Sequence, residues 1–416
     1  MLTGECISDK KSKSLLIIGA GLEQVPAYKL AKQRGLTVIG TDVNPNAPGF
    51  EFSDYQLIAS TRNLDQTVSV VLKFAQEHTI DGVMTIANDV PLIVATLAKK
   101  LGLNGVPVES AKLVSNKLLM KNSFLKHGVS CPWFSSVKDL SHLRKLVASN
   151  IAPRYVLKPV DGRGARGVLL IDKKIDLDWA FKESAYWGDS GELLLEEYVD
   201  GLQLSTESFL LNGKACTPAI AERNYEFIDR FSPYIIENGG TIPALLDSET
   251  INSINNVIEA GASAIGVKSG IVKGDIVISQ SGEPIIIELA LRLSGGWFST
   301  HQIPAASGVD LVNAVISHSL GETVSTKELT PKWNRSTAIR YWFPPSGLIE
   351  KIEGIEDLNS LPGLISYGFF KSEGQVQDEI KMHADRFGYL IVEGSNRETA
   401  ISRVMDGLLR VKIKVS

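Results

Sequence analysis

Residues 273–296 read KGDIVISQSGEPIIIELALRLSGG, two apolar strands around a turn, and each strand carries one carboxylate, Asp275 and Glu288. A two-residue turn at Ser281-Gly282 sets Gln280 opposite Glu283 and Asp275 opposite Glu288. Strand alternation then puts Asp275, Val277, Ile286, Glu288, Ala290 and Arg292 on one face. Opposed side chains have Cβ atoms about 4.5–5.5 Å apart. Two acids so close in an apolar sheet repel each other and are poorly solvated. They can share a proton, recruit a cationic side chain, or bind a divalent cation. Hard oxygen donors without His or Cys suit magnesium, which completes its shell with water and phosphate. Arg292, further along the same face, suits bidentate binding of an anion. A purely structural ion-pair cluster is the competing interpretation of the same pattern.

The chain around this hairpin has 416 residues, too many for one core, so several domains are expected. "SLLIIGAGLEQVPAYKLAKQRGLTVIGTDVNP" is strand, glycine turn, helix over Val25–Gln33, then a strand ending at Asp42. Such a unit predicts a parallel, doubly wound sheet. "DGVMTIANDV" adds a strand whose polar C-terminal end is where open α/β sheets bind ligands. Residues 110–128 are helical and lysine-bearing, Asn212-Gly213 marks a hairpin turn, and 249–267 is a long amphipathic helix. Short strands and the helical "RETAISRVMDGLLR" close the chain.

A net charge of −4 argues against a generic nucleic-acid or membrane-surface binder. Cys6, Cys131 and Cys216 are too far apart for a zinc site or a disulfide framework, which predicts reduced thiols in a cytoplasmic protein. The polar opening MLTGECISDKKSKS reads as a loose tail without a signal peptide, and no apolar run approaches the ~20 residues that span a bilayer.

Two glycine turns invite ligands. GAGLEQ has Gln24 where a dinucleotide fingerprint needs its third glycine, so a dehydrogenase is poorly supported even with Asp42 at a ribose-reading distance. "LKPVDGRGARGV" is stronger. Lys158 ends a strand, and a loop with Gly162, Gly164 and Gly167 lets backbone N–H groups approach phosphate, with Arg163 and Arg166 adding charge. The loop leads from strand to strand, so it would be a flap over phosphates and not the cradle of a P-loop, or else simply an exposed hairpin loop. "LLLEEYVDG" offers a strand edge whose main chain could pair with a purine, or simply a strand ending at a surface turn.

In this order, a lysine-bearing strand with a glycine flap, an E-E-Y-V hinge, then a paired Asp and Glu before an Arg resemble the ATP-grasp superfamily. The likeness is to its carboxylate–amine branch, which includes amino-acid ligases and biotin-carboxylase-like members. The resemblance implies an α/β and α+β multidomain chain. A doubly wound domain would occupy 1–107 and a two-lobed ATP-grasp fold 108–325, with lobes of about 108–190 and 191–325. A small α+β domain would occupy 326–416. It further implies that Lys117 and Lys158 contact ATP phosphates, and that Gly162, Gly164, Arg166 and Gly167 form the mobile flap. Glu196, Glu197, Tyr198 and Val199 would form the adenine hinge, with main-chain contacts at Glu197 and Val199, and Gln203 would stand where relatives carry a ribose-binding acid. Asp275 and Glu288 match the metal ligands for one or two magnesium ions, or manganese in their place. Relatives often read E-x-N-x-R where this chain reads E-L-A-L-R, so Ala290 supplies no oxygen. Arg292 would bind the substrate carboxylate or the acyl phosphate. Arg223, Ser294, Gly295, Gly296 and His301 are substrate-side candidates.

The implied reaction joins a small carboxylic acid to an amine through an acyl phosphate, releasing ADP and phosphate, in a family-typical homodimer. A bicarbonate-using carboxylase or carbamoyl-phosphate-type enzyme is the alternative within the family, and a regulatory nucleotide-binding subunit the alternative outside it.

Overall fold

A computed structural model describes residues 12–149 and 151–416. Cys6 and the expected loose N-terminal tail lie outside the described residues. Strands β1 (Ser14–Ile18), β2 (Thr37–Asp42), β3 (Tyr55–Ile58) and β4 (Gly82–Met84) form a parallel sheet in the order β3-β2-β1-β4. β1 is buried at every position, as its unbroken apolar run requires of a sheet covered on both faces. Helices α1 (Val25–Gln33), α2 (Leu64–Phe74) and α3 (Pro91–Leu101) provide cover. Val68 and Val71 of α2 and Ile93 and Leu97 of α3 pack with Leu16 and Ile18 on one face. On the other face, Tyr28 of α1 packs with Leu311 and Val315 of a helix from much later in the chain.

Before the next sheet comes α4 (Lys117–Lys126), set off from the preceding turn by Asn116, whose side chain caps the N–H groups of Leu118 and Leu119. The expected helical stretch 110–128 is therefore two helices, with the break at Ser115-Asn116. Strands β5 (Phe134–Val137), β6 (Tyr155–Pro159), β7 (Leu169–Ile171) and β8 (Leu193–Glu197) make an antiparallel sheet ordered β5-β8-β6-β7. The flap joins β6 to β7.

The largest sheet contains β9 (Gly201–Leu211), β10 (Lys214–Cys216), β11 (Ile220–Arg223), β12 (Gly240–Ile242), β13 (Gly270–Ser279) and β14 (Pro284–Ala290). It continues through β15 (Ser336–Trp342), β16 (Leu364–Phe369) and β17 (Gly388–Gly394). The order is β14-β13-β9-β11-β12-β15-β17-β16, with β10 on β9. The β12–β15 pairing carries the sheet into the C-terminal region without a break. Helix α5 (Ser248–Ala264) packs Ile254 and Ile258 on this sheet, α6 (Leu311–Ser319) covers β1–β4, and α7 (Arg397–Arg410) packs Ala400 and Val404 against β15 and β17.

The β13–β14 hairpin pairs Asp275 with Glu288, as the sequence suggests, but by a different route. The turn is not the two-residue Ser281-Gly282. Ser279 and Glu283 close a three-residue loop, with Gly282 N–H donating to the Ser279 carbonyl. That moves the register by one, and a bulge between Asp275 and Ile276 moves it back. The bulge also corrects the expected face: Ile286 points into the core, while Ile287 joins Glu288, Ala290 and Arg292 on the cavity side. β13 is held independently by ten residue pairs with β9, from Gly270↔Leu210 to Ser279↔Gly201. Gly282 sits at φ +86° with nothing within 4 Å of a Cβ placed there. Gly282→Ala should therefore cost about 1 kcal/mol of left-handed strain and leave the Asp275–Glu288 pairing intact. Denaturant midpoints would show the loss, and ATP turnover would stay at the wild-type level.

Candidate active site

Lys117 opens α4, and one helical turn on the same helix face stands Lys121. Lys117 Nζ donates to the Gly162 carbonyl of the flap at 2.8 Å and lies 3.4 Å from Glu288 Oε1. Behind it, Lys121 Nζ is 2.9 Å from Glu196 Oε2, and Lys158 Nζ hydrogen-bonds Glu196 Oε1. Lys121 is 0% exposed, Lys158 4% and Glu196 3%. Burial pushes the Glu196 carboxyl up, but the two lysines outweigh it and hold it below the usual carboxylate range. The side chain of Glu196 thus fixes a lysine in place and is not available to a base.

Further along the hinge, Glu197 N–H donates to the Trp133 carbonyl at 2.9 Å, leaving its carbonyl as its main-chain group for a ligand. Tyr198 N–H is bonded to the Arg154 carbonyl, and its ring lies under the Arg154 guanidinium at 4.4 Å. Val199 N–H has no hydrogen-bond partner among the described residues. Gln203 Nε2 donates to the Val199 carbonyl at 3.3 Å. These residues, with Lys117, Lys158, Gly162 and Gly164, line a cavity of about 270 Å³ that ends at Asp275, Glu288 and Arg292.

A second cavity of about 640 Å³ takes in Arg166, Ser294, Gly295 and Gly296. The two meet along Arg223, Lys273, Asp275, Arg292, Asp89 and His383. At this junction Asp275 accepts from Arg223 Nη1 at 2.9 Å and from Lys273 Nζ. Burial pushes its carboxyl up, but Lys273 and Arg223 prevail and bring it down to about 2. Arg223 also donates through Nε to Glu237 at 2.7 Å, and Arg292 Nε donates to Asp89 at 2.5 Å.

Two candidates fall elsewhere. Gly167 lines neither cavity; its carbonyl accepts from Ser184 Oγ at 2.8 Å, and it packs on Trp187. His301 lines neither, stacks edge-on to Trp297 and pairs with Thr300 Oγ1 at 2.8 Å. In the first glycine turn, Gln24 Nε2 donates to the Ile86 carbonyl at 2.7 Å, and Asp42 accepts the N–H groups of Ala20 and Asn44. Asp42 thus serves the loop itself, while Gln24 ties it to the segment after β4 and also borders the larger cavity.

Other residues at the site carry signals of their own in the sequence. Lys273 lies in the hairpin, two residues before Asp275 and on the same face. Asp89 ends the polar stretch after β4. Glu23 belongs to the first glycine turn; it accepts Gly296 N–H at 3.1 Å, and burial pushes its carboxyl up. Glu207 stands in the polar stretch Ser205–Ser208 of β9, is 0% exposed and accepts the Ser294 N–H, so it fixes the loop that bounds the second cavity. His383 and Arg386 arrive only through tertiary packing.

The donor chemistry at the acid pair suits a hard divalent cation. Asp275 and Glu288 present carboxylate oxygens from adjacent strands, and Ala290 adds none. Among the described residues there is no group of three or more His, Cys, Asp or Glu side chains able to hold a metal. The pair therefore fits an ion whose remaining ligands come from phosphate and water.

Residues 114–296 match the ATP-grasp domain, and residues 340–416 match L-amino acid ligase C-terminal domain 2. The chain is similar in fold to an L-amino acid ligase from Bacillus licheniformis, with TM-score 0.83 and 21% identity over 98% of this chain and 100% of that one. In sequence it is similar to a D-alanine–D-alanine ligase of Parabacteroides distasonis, 26% identical over 40% of this chain and 50% of that protein. Carnosine synthase 1 of Gallus gallus is 22% identical over 77% of this chain. The chain spans half or less of these two relatives' length, 50% and 37%.

Two outcomes follow from the charge arrangement. Glu196→Gln leaves Lys121 and Lys158 buried without their anion and should cost about 3–5 kcal/mol, read from urea denaturation. Asp275 has a folded value below its ordinary 3.8, so its stabilisation is complete above that pH and disappears as pH falls through about 2. The stability gap between wild type and Asp275→Asn should be flat above about pH 5 and close steadily below about pH 4, measured by denaturation at stepped pH.

Proposed function

Because the chain carries an ATP-grasp domain and an L-amino acid ligase C-terminal domain, we propose that it is an ATP-dependent carboxylate–amine ligase. It would form an amide through an acyl phosphate and release ADP and phosphate. The observation that carries this reading is the junction of the two cavities at Asp275 and Arg292, with lysines on one side and a larger chamber on the other. A carboxylate has a poor leaving group until it is phosphorylated, and phosphoryl transfer asks the protein chiefly for positioning and charge neutralisation. The smaller cavity suits ATP, with adenine against the Glu197 carbonyl and Val199 N–H, ribose near Gln203, and phosphates between Lys117, Lys158 and the flap. Asp275 and Glu288 would hold magnesium shared with the phosphates; when bound, the ion neutralises charge that develops on the phosphate oxygens. Before an ion arrives, Asp275 is paired with Lys273 and Arg223, which can turn to the incoming anions.

Arg292 would bind the acid substrate's carboxylate, its guanidinium held in place by Asp89. The flap, tied to Lys117 through Gly162, would exclude water from an intermediate that hydrolyses easily. The larger chamber, bordered by Phe298, Tyr341 and Phe370, would take the acid and the amine. The L-amino acid ligase C-terminal domain favours an amine over bicarbonate as co-substrate.

Magnesium ATP with a mixture of the L-amino acids should release ADP, whereas bicarbonate alone should not. Bicarbonate-dependent ADP release without an amine would transfer the proposal to the carboxylase alternative. Glu288→Gln should lower turnover by at least about a hundredfold while its thermal midpoint stays near wild type. Wild-type turnover in that variant would remove the metal assignment.

A further inference from the structure

An amine attacking an acyl phosphate arrives at neutral pH mainly as an ammonium ion, with no lone pair to offer. Some group at the junction of the cavities must take its proton. Most polar side chains there are already committed. Asp89 is paired with Arg292, Asp275 with Arg223 and Lys273, and Glu237 with Arg223 and Arg386. His383 is different. Its side chain borders both cavities, and its Nε2 is buried with no hydrogen-bond partner among the described residues.

We propose that His383 is the general base that accepts the proton of the attacking amine. This rests on the ligase reading above. The segment that carries it is rigidly held: the Asp385 carboxylate accepts the N–H groups of Lys381 and Met382 at 2.9 Å. Gln377 Nε2 donates to the Asp385 carbonyl at 2.9 Å, and Arg386 Nη2 donates to the Glu237 carbonyl at 2.6 Å. A fixed imidazole at the meeting point of nucleotide and substrate chambers has the placement a base needs.

Burial pushes the imidazole well below its ordinary value, and Arg386, Arg223 and Lys273 push the same way, so the ring is neutral and holds a lone pair but is a weak base while those cations stand uncompensated. Of the acids that border these cavities, Asp89, Asp275, Glu196, Glu237 and Glu288 each face a cation, Glu23 accepts the Gly296 N–H, and Glu197 lies at the hinge end of the smaller cavity. Phosphates arriving beside Arg223 and Lys273 offset those charges, and the ring becomes more basic as the acyl phosphate forms. The amine passes one proton to the lone-pair nitrogen of the ring. Its nitrogen then attacks the carbonyl carbon; the C–N bond forms and the C–O bond to phosphate breaks, with the electron pair leaving on phosphate. The second nitrogen proton leaves with phosphate or water, and His383 returns its proton to solvent on product release.

The test exchanges the nucleophile. Hydroxylamine is largely uncharged at neutral pH and needs no base to expose its lone pair. With magnesium ATP and a mixture of L-amino acids as acids, wild-type protein should form hydroxamates with hydroxylamine and amides without it. His383→Gln should lose about 10²–10⁴-fold in amide formation and keep hydroxamate formation within about threefold. Its amide rate should rise with pH where the wild-type rate is level, as free amine replaces ammonium. Equal loss with both nucleophiles, or no loss with either, overturns the proposal while leaving the ligase reading standing. A wild type that forms no hydroxamate and no amide overturns the ligase reading itself. A thermal midpoint and ATP affinity equal to wild type separate the effect from misfolding.

Discussion

Two carboxylates stand opposite each other on adjacent strands, and the surrounding residues are arranged to offset their repulsion. Asp275 is flanked by Ser205 on one strand and Glu288 on the other, where burial pushes its carboxyl up. Lys273 comes from its own strand, Arg223 from β11 and Lys117 from the first turn of α4. Those cations come from separate elements, so the three can be in place together only when the large sheet and α4 are assembled. On the proposed ligase reading each would exchange a carboxylate for a phosphate, and the same repulsion that would destabilise an isolated hairpin would make the site receptive to a divalent cation.

A second cluster works by different rules. Glu196 lies between Lys121 and Lys158 with almost no access to water, and the three carry a net positive charge. Replacing such a cluster by apolar residues is often neutral for stability, so stability is a weak account of why it is there. Placement is a better one. Lys158 projects from a strand whose far end leads into the flap, and Glu196 leaves it little freedom. A lysine held this way loses less entropy on meeting phosphate than one free in solvent.

How far the sequence reaches is plain from particular residues. The Asp275–Glu288 pairing is legible because carboxylates in apolar strands are conspicuous, yet the two-residue turn behind it is wrong and a bulge cancels the error. Nothing local signals that bulge, because it depends on how β13 sits against β9. Lys158 and the glycine flap are legible because glycines after a strand leave few other uses. His301 and Gly167 look functional by adjacency alone, and packing sends both elsewhere. Lys273 and Asp89 are single charges in or beside apolar strands, the same signal that Asp275 gives, whereas Glu207 stands among Ser205, Thr206 and Ser208 and is inconspicuous. His383 and Arg386 carry no local signal, since only the β12–β15 pairing brings their region to the site.

That pairing has a further consequence. With β15 and β17 continuing the sheet past β12, the C-terminal region forms part of the wall of the larger chamber. Arg386 lies over the Tyr341 ring at 4.0 Å, and its Nη2 holds the Glu237 carbonyl, so a cation, an aromatic face and a strand end are locked together. An acyl phosphate must be kept from water while the amine is admitted. On the proposed ligase reading, the nucleotide side would be closed by the glycine-rich β6–β7 loop and the substrate side by a continuous sheet. Water exclusion and amine entry would then fall to different elements, and substitutions in the sheet wall would change which acid or amine fits without altering how ATP is held.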